Sequence, residues 1–168
     1  VTPALSTATV VAQLMATAEQ RLTEIPPTLT QVADIQIIIE TFGDTILQDS
    51  NNPELQRSKV KQLIIWYPDE PRAYLVAGLV SAQQVRYAEA IQYYDQAIAL
   101  DPTTSLVYID RSLAHFKQGD YASALKDADR GLLLDSENHL GYLIRGNIYF
   151  EMKNYQAAVT DFTQAIGL

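Results

Sequence analysis

The chain contains no cysteine, which excludes disulfide frameworks, thiolate metal sites and a cysteine nucleophile and leaves the redox compartment open. Histidine is nearly absent. His115 and His139 stand 24 positions apart, a separation that no helical metal-ligand motif of the HExxH kind accommodates. Basic residues are few and scattered, 12 Lys and Arg against 20 Asp and Glu, for a formal charge of −8. The deficit holds in both parts of the chain, with 4 basic against 9 acidic residues in 1–70 and 8 against 11 in 71–168. A nucleic-acid surface needs clustered cations to displace counterions from phosphate, and binding to an anionic membrane needs a basic amphipathic face. Neither pattern is in the sequence, so nucleic acid is not an expected partner. No stretch of about 18 uninterrupted apolar residues exists; the best run, 35–42, is broken by Gln36 and Glu40, so direct membrane insertion is not expected. The sequence opens on Val1 with no basic region ahead of an apolar stretch, which leads us to expect a targeting segment that is absent or already removed and leaves the localisation unknown.

Catalytic signatures are missing too. There is no GxSxG nucleophile elbow, no GxxxxGK[ST] phosphate cradle and no GxGxxG turn. Asp127 and Asp129 are close in sequence, but on a helix they point about 200° apart, so a solvated pair is expected rather than a general acid and base. His115 reads as a packing or rim imidazole. The sequence therefore predicts a chain that is not an enzyme, with no catalytic residue, no cofactor site and no metal site.

What the sequence does have is apolar content of 48%, enough for a core, with abundant Ala, Leu, Ile and Gln that lean towards helix. It also repeats. Tyr74, Gly78, Tyr87, Ala90, Tyr94, Ala97 and Pro102 return 34 residues later as Tyr108, Ser112, Tyr121, Ala124, Ala128, Gly131 and Ser136. They return again as Tyr142, Gly146, Tyr155, Ala158, Phe162 and Ala165. Apolar spacing in each unit predicts two antiparallel helices. Small residues mark the crossing: Gly78, Ser112 and Gly146 are expected to face Ala90, Ala124 and Ala158. Ala97, Gly131 and Ala165 are expected where a second helix meets the next unit. Gly119-Asp120 and Lys153-Asn154 read as turns between helices, and Asp101-Pro102 closes the first unit.

This pattern resembles the tetratricopeptide repeat family, in three registered copies over 98 of the 168 residues. The departures are Ala77, Arg111 and Arg145 where Leu is usual, Ser81 and His115 at an aromatic position, and Ser136 for Pro. The resemblance implies an all-α fold, a right-handed α-solenoid of antiparallel helical hairpins, divided as 71–104, 105–138 and an incomplete 139–168. Upstream, 29–70 reads as a degenerate hairpin, with Pro68 one period before Pro102 and a helix predicted over Pro53–Trp66. Residues 1–28 read as an amphipathic helix over 7–25 that caps the solenoid or docks into its groove.

The resemblance also implies a protein-interaction module whose first helices line a concave groove. Carried over by register, the groove takes Arg72, Leu75, Leu79, Ala82 and Gln83 from the first unit. The second unit supplies Leu106, Ile109, Asp110, Leu113, Phe116 and Lys117, and the third Leu140, Leu143, Ile144, Asn147, Phe150 and Glu151. Of these, Leu75, Leu79, Ile109, Asp110, Leu113, Phe116, Leu143, Asn147 and Phe150 are the expected partner-binding residues. Chaperone-binding members clamp a peptide carboxylate with Lys, Asn and Arg at several of these positions. Here Leu75, Leu79, Asp110, Leu113, Leu140 and Ile144 stand there, so the expected ligand is an apolar peptide or helix, in an adaptor or assembly role. Arg111 and Arg145 are expected to form structural ion pairs with nearby acids such as Asp110. A regulatory region of a longer enzyme and a self-associating homo-oligomer are the alternative readings.

Overall fold

Residues 43–48 and 52–168 are described by the structure, a computed structural model, and every regular element among them is helical. The chain divides into two compact units between Pro68 and Asp69. The amino-terminal segment 1–28, expected to cap the solenoid or dock in its groove, lies outside the described residues.

In the first unit, residues 43–48 are helical and α1 spans Pro53–Trp66, the bounds expected from the sequence. Pro53 occupies the first turn, where its missing N–H is no loss, and the Asn52 side chain accepts from the Leu55 N–H at 3.1 Å. One period upstream of Ala90 stands Gln56, far larger than alanine. It is buried nonetheless, and its side-chain amide donates to the Ile46 carbonyl at 2.8 Å. Ile46, Val60 and Leu63 are buried with it. The crossing in this unit thus uses bulk and one buried hydrogen bond instead of small side chains.

The second unit is three helical hairpins: α2 (Pro71–Gln83) with α3 (Tyr87–Leu100), α4 (Ser105–Gln118) with α5 (Tyr121–Leu134), and α6 (His139–Glu151) with α7 (Tyr155–Gly167). Each second helix also packs on the next hairpin's first helix. The first helices, α2, α4 and α6, pack on one another directly, whereas the second helices do not to that extent. The solenoid therefore bends with α2, α4 and α6 on its inner side.

Small residues do mark the crossings, and Ser112 meets Ala124 as expected, whereas the two glycines lie against aromatic rings. A Cβ on Gly78 would collide with the Tyr94 ring, and one on Gly146 would stand 2.6 Å from Phe162 Cε1. These aromatics come nearest to the two glycines. Ser112 donates its hydroxyl to the Ala124 carbonyl at 2.7 Å, the pairing expected for this hairpin. Gly131 presses against Ile109 and Ser105 of its own hairpin, and its carbonyl accepts from the Ser105 hydroxyl at 2.9 Å. The contact with the next hairpin is made by Gly141, against Leu132 and Ile109.

The ion pairs also differ from expectation. Arg111 grips Asp127 through Nε and Nη2, both at 2.7 Å, and reaches Asp95 of the preceding hairpin at 2.6 Å. Arg145 repeats this with Asp161, at 2.8 Å twice, and Asp129 at 2.7 Å. Asp110 is not their partner. Nor is Asp127 solvated: it is 4% exposed, held under the guanidinium, while Asp129 serves the following hairpin. In the first hairpin the same register carries Ala77 and Tyr93, two uncharged residues where the later hairpins have an arginine and an aspartate.

The inter-helix turns share one geometry. Val85, Gly119 and Lys153, one period apart, have φ of 61°, 81° and 61°. In each case the next residue's N–H reaches back into the helix: Arg86 to the Ser81 carbonyl at 2.9 Å, Asp120 to His115 at 3.0 Å, Asn154 to Tyr149 at 2.8 Å. These are Schellman endings, which put one residue in the left-handed region. Glycine adopts it freely; a β-branched side chain does not.

Val85 is 69% exposed, so its side chain offsets little of that strain. We expect Val85→Gly to raise stability by about 1 kcal/mol in urea unfolding, and an unchanged or lower midpoint would contradict the strain argument. Arg111→Ala leaves Asp127 buried without its cation and is expected to destabilise by about 3 kcal/mol. Adding Asp127→Tyr copies the Ala77 and Tyr93 pair of the first hairpin and is expected to recover most of that loss in the same assay.

Candidate functional site

On each inner helix, residues spaced by three and four positions share a face. On α6 that stripe is open: Leu140, Leu143 and Phe150 are exposed apolar side chains, at 38%, 37% and 54%, with exposed Asn147 among them. On α4 it runs through exposed Leu106, then Asp110 and half-buried Leu113 to exposed Lys117. On α2 it runs through half-buried Leu75 and Leu79 to exposed Gln83. Phe150 continues into Tyr155 across the last turn, edge to face with ring centroids 5.5 Å apart, and Met152 beside them is exposed as well. Met152 and Tyr155 were not among the expected groove residues: Tyr155 recurs with Tyr87 and Tyr121, but it opens a second helix, and the groove positions were carried over from first helices alone.

Two residues placed in the groove by register belong to the core instead. Ile109 is fully buried, packed with Ala124, Ala128, Ile144 and Ile148, and Ile144 is buried in the same cluster. Ile109 shares its register with Leu75 and Leu143, but its side chain is taken up against Gly131 of its own hairpin and Gly141 of the next, where there is no Cβ. Leu113 and Phe116 pack against the edge of this cluster and Leu75 against the neighbouring one, so these three are part core and part surface. Phe116 lies 5.8 Å from the Tyr121 ring, with Lys117 Nζ 5.8 Å from its own ring centroid.

Asp110 is the unusual group on this face. Its Oδ2 is buried and has no hydrogen-bond donor among the described residues. Burial pushes its carboxyl up to about 7. Its neighbour Tyr94 is raised too, first by burial and then by the Asp110 charge. The nearby guanidiniums are turned away and engaged, Arg111 with Asp127 and Asp95, Arg145 with Asp161 and Asp129. His115 is half-buried, 3.6 Å from Asp120 and 3.9 Å from Asp127, on the side of α4 that carries the ion pairs. Among the described residues no group of three His, Asp or Glu is disposed to hold a metal, and no helix is long and apolar enough to cross a membrane.

Helical hairpins stacked in register, with first helices inside and an open inner face, define a repeat solenoid of the kind built for protein interaction. A family model for the tetratricopeptide repeat matches residues 51–104 and 109–168, and the chain belongs to that family. No curated protein matches it in sequence. Among solved structures, the chain is similar to the second tetratricopeptide domain of Spaghetti (RPAP3) bound to the HSP90 peptide SRMEEVD, at 25% identity and TM-score 0.58, over 59% of this chain and 92% of that one. It is similar to the Arabidopsis OM64 tetratricopeptide domain at 24% identity and TM-score 0.59, over 60% and 83%. A MamA structure, MSR-1 C2, aligns over 95% of this chain and 87% of its own at TM-score 0.69 and 15% identity, a likeness of fold alone.

The Asp110 carboxyl gives a pH dependence with a definite sign. Below about pH 4 both folded and unfolded states hold its proton; between about 4 and 7 only the folded state does. Its contribution therefore falls as pH rises through that window and levels off above it. Asp101 and Asp120, lowered by hydrogen bonds from Thr103 and Ser123, act oppositely at low pH in wild type and variant alike. We expect Asp110→Asn to gain on wild type across pH 4 to 7, reaching on the order of a few kcal/mol, in denaturant unfolding at stepped pH. A stability difference independent of pH would contradict this.

Proposed function

We propose that this chain is an adaptor or assembly module that holds a mainly apolar peptide or helix of a partner protein against the inner face of α2, α4 and α6. The observation that carries the reading is the open apolar stripe of Leu140, Leu143 and Phe150 on α6. Side chains of that size gain about 1.5 to 3 kcal/mol each when covered, and contiguous apolar faces of folded domains serve as interaction sites. The stripe continues through Leu113 on α4 to Leu79 and Leu75 on α2. The domain type supports the same reading: the RPAP3 domains are bound to the peptides SRMEEVD and SGPTIEEVD.

The ligand chemistry differs from those acidic tails. A carboxylate-rich peptide would meet Leu75, Leu79, Leu140 and the acid Asp110 along this face rather than fixed cations. An amphipathic helix, presenting apolar residues at helical spacing, fits it better.

Leu143 and Phe150 are exposed, so Leu143→Glu with Phe150→Glu is expected to leave the melting temperature within about 3 °C of wild type. The double variant is expected to lose capture of the native partner in pull-downs from source extract, while the SRMEEVD peptide binds neither protein in fluorescence anisotropy. Undiminished capture by the folded double variant would sink the proposal.

A further inference from the structure

The apolar face carries one ionisable group at its centre, and it is an acid. One period to either side of Asp110 stand Val76 and Ile144, both buried aliphatics, so the register itself asks for an apolar side chain. The carboxylate there has Oδ2 buried and no donor among the described residues. The cations on its own helix and on the next are placed elsewhere. Arg111 and Arg145 are each held by two aspartates, and Lys117 stands two turns along α4 against the Phe116 ring. At the ends of the face lie Arg72 and Glu151, both exposed.

A carboxylate without a donor, on an inner face that also carries Leu75, Leu79, Leu113 and Leu143, complements one kind of ligand group, a cation on an otherwise apolar surface. When a docked helix excludes water from the face, a pair with that cation strengthens, and a ligand without it leaves the acid buried with no partner. Resting on the groove reading above, we propose that the partner segment is an apolar helix bearing a single lysine or arginine that pairs with Asp110. Asp110 thereby selects among apolar helices and sets the register in which one docks.

The test starts from selection. The full chain is used as bait for a phage library of random peptides long enough for four helical turns. Selected sequences are resynthesised with a fluorescent label, each also with its Lys or Arg replaced by norleucine. Anisotropy is then measured against wild type, Asp110→Asn, and the double variant Leu143→Glu with Phe150→Glu. The expected result is enrichment of one Lys or Arg among helically spaced apolar residues. The norleucine swap should weaken binding to wild type about tenfold or more and binding to Asp110→Asn hardly at all. Asp110→Glu, which keeps the charge, should retain the preference. Should Asp110→Asn fail to fold, Asp110→Val, which copies Val76, takes its place. Peptides that require Leu143 and Phe150 yet ignore the norleucine swap would overturn this inference and leave the groove reading standing. Peptides indifferent to the double variant, or no binders at all, would overturn both.

Discussion

The closeness of the two helices within each hairpin is the constraint on which the rest of the solenoid depends. Gly78 lies under Tyr94, and Gly146 under Phe162, with no room for a methyl group between backbone and ring. That contact sets the depth to which α3 and α7 sink onto α2 and α6, and so where each first helix presents its inner face. In the middle hairpin the arrangement is inverted: Ser112 replaces glycine, its hydroxyl takes up the Ala124 carbonyl, and the register of Tyr94 holds Ala128. Volume removed there is returned by the next hairpin. Ala128 is packed with Ile148, whereas Tyr94 is packed with Ala114, which occupies the same register as Ile148 one hairpin earlier. Interiors are close-packed, so a large residue and a small one can exchange across an interface only together.

A second repeat overlies the first and is polar. Asp95, Arg111 and Asp127 form one link, and Asp129, Arg145 and Asp161 the next, each Arg joining its own hairpin to the one before. Each guanidinium meets one aspartate that is buried and one that is half-exposed. For Arg111, burial lowers the pKa, but the bonds and charges of Asp127 and Asp95 outweigh it and the net direction is upward; Arg145 moves the same way. A bidentate grip with its lone pairs occupied is the condition under which a semi-buried ion pair is tolerated. Tyr108 and Tyr142 stand beside these links. Their rings lie 5.7 and 5.6 Å from Arg111 and Arg145, and their hydroxyls donate to the Pro102 and Ser136 carbonyls at 3.2 Å. The inter-hairpin loops are thereby fastened to the polar links, leaving the inner face clear of both.

The fold was legible in the sequence because its determinants are identities at fixed spacing: glycine or serine, an aromatic or alanine, and a turn residue return every 34 positions. The ionic links were equally periodic, but each spans 16 residues in both directions, and adjacency in sequence suggested Asp110 as the partner of Arg111 instead. Neighbours on a helix point away from each other, so that pairing was sterically the wrong one. The inner face was legible only in outline. Register alone assigned five or six residues per helix to it, more arc than one exposed stripe covers. Ile109 and Ile144 turned out to fill the space that small Ala124 and Ala128 leave. What sequence spacing could not supply is which side of each first helix the neighbouring hairpin occupies.

That side decides what Asp110 can do. Had α4 been rotated by one residue, the carboxylate would have turned towards Arg111's partners, and Ile109 would have taken its place on the inner face. In the observed rotation, Ile109 is wedged against Gly131 and Gly141, two positions where any side chain would collide with it, so the helix cannot turn without opening two interfaces at once. The glycines that allow close packing thus also fix the angle at which one acid meets an apolar face. A buried unpaired carboxylate opposes folding, and a hydrophobic residue such as Val76 fills the same register one hairpin earlier. Stability therefore does not account for an acid at this position, and the role proposed for it is discrimination between ligands with and without a cation.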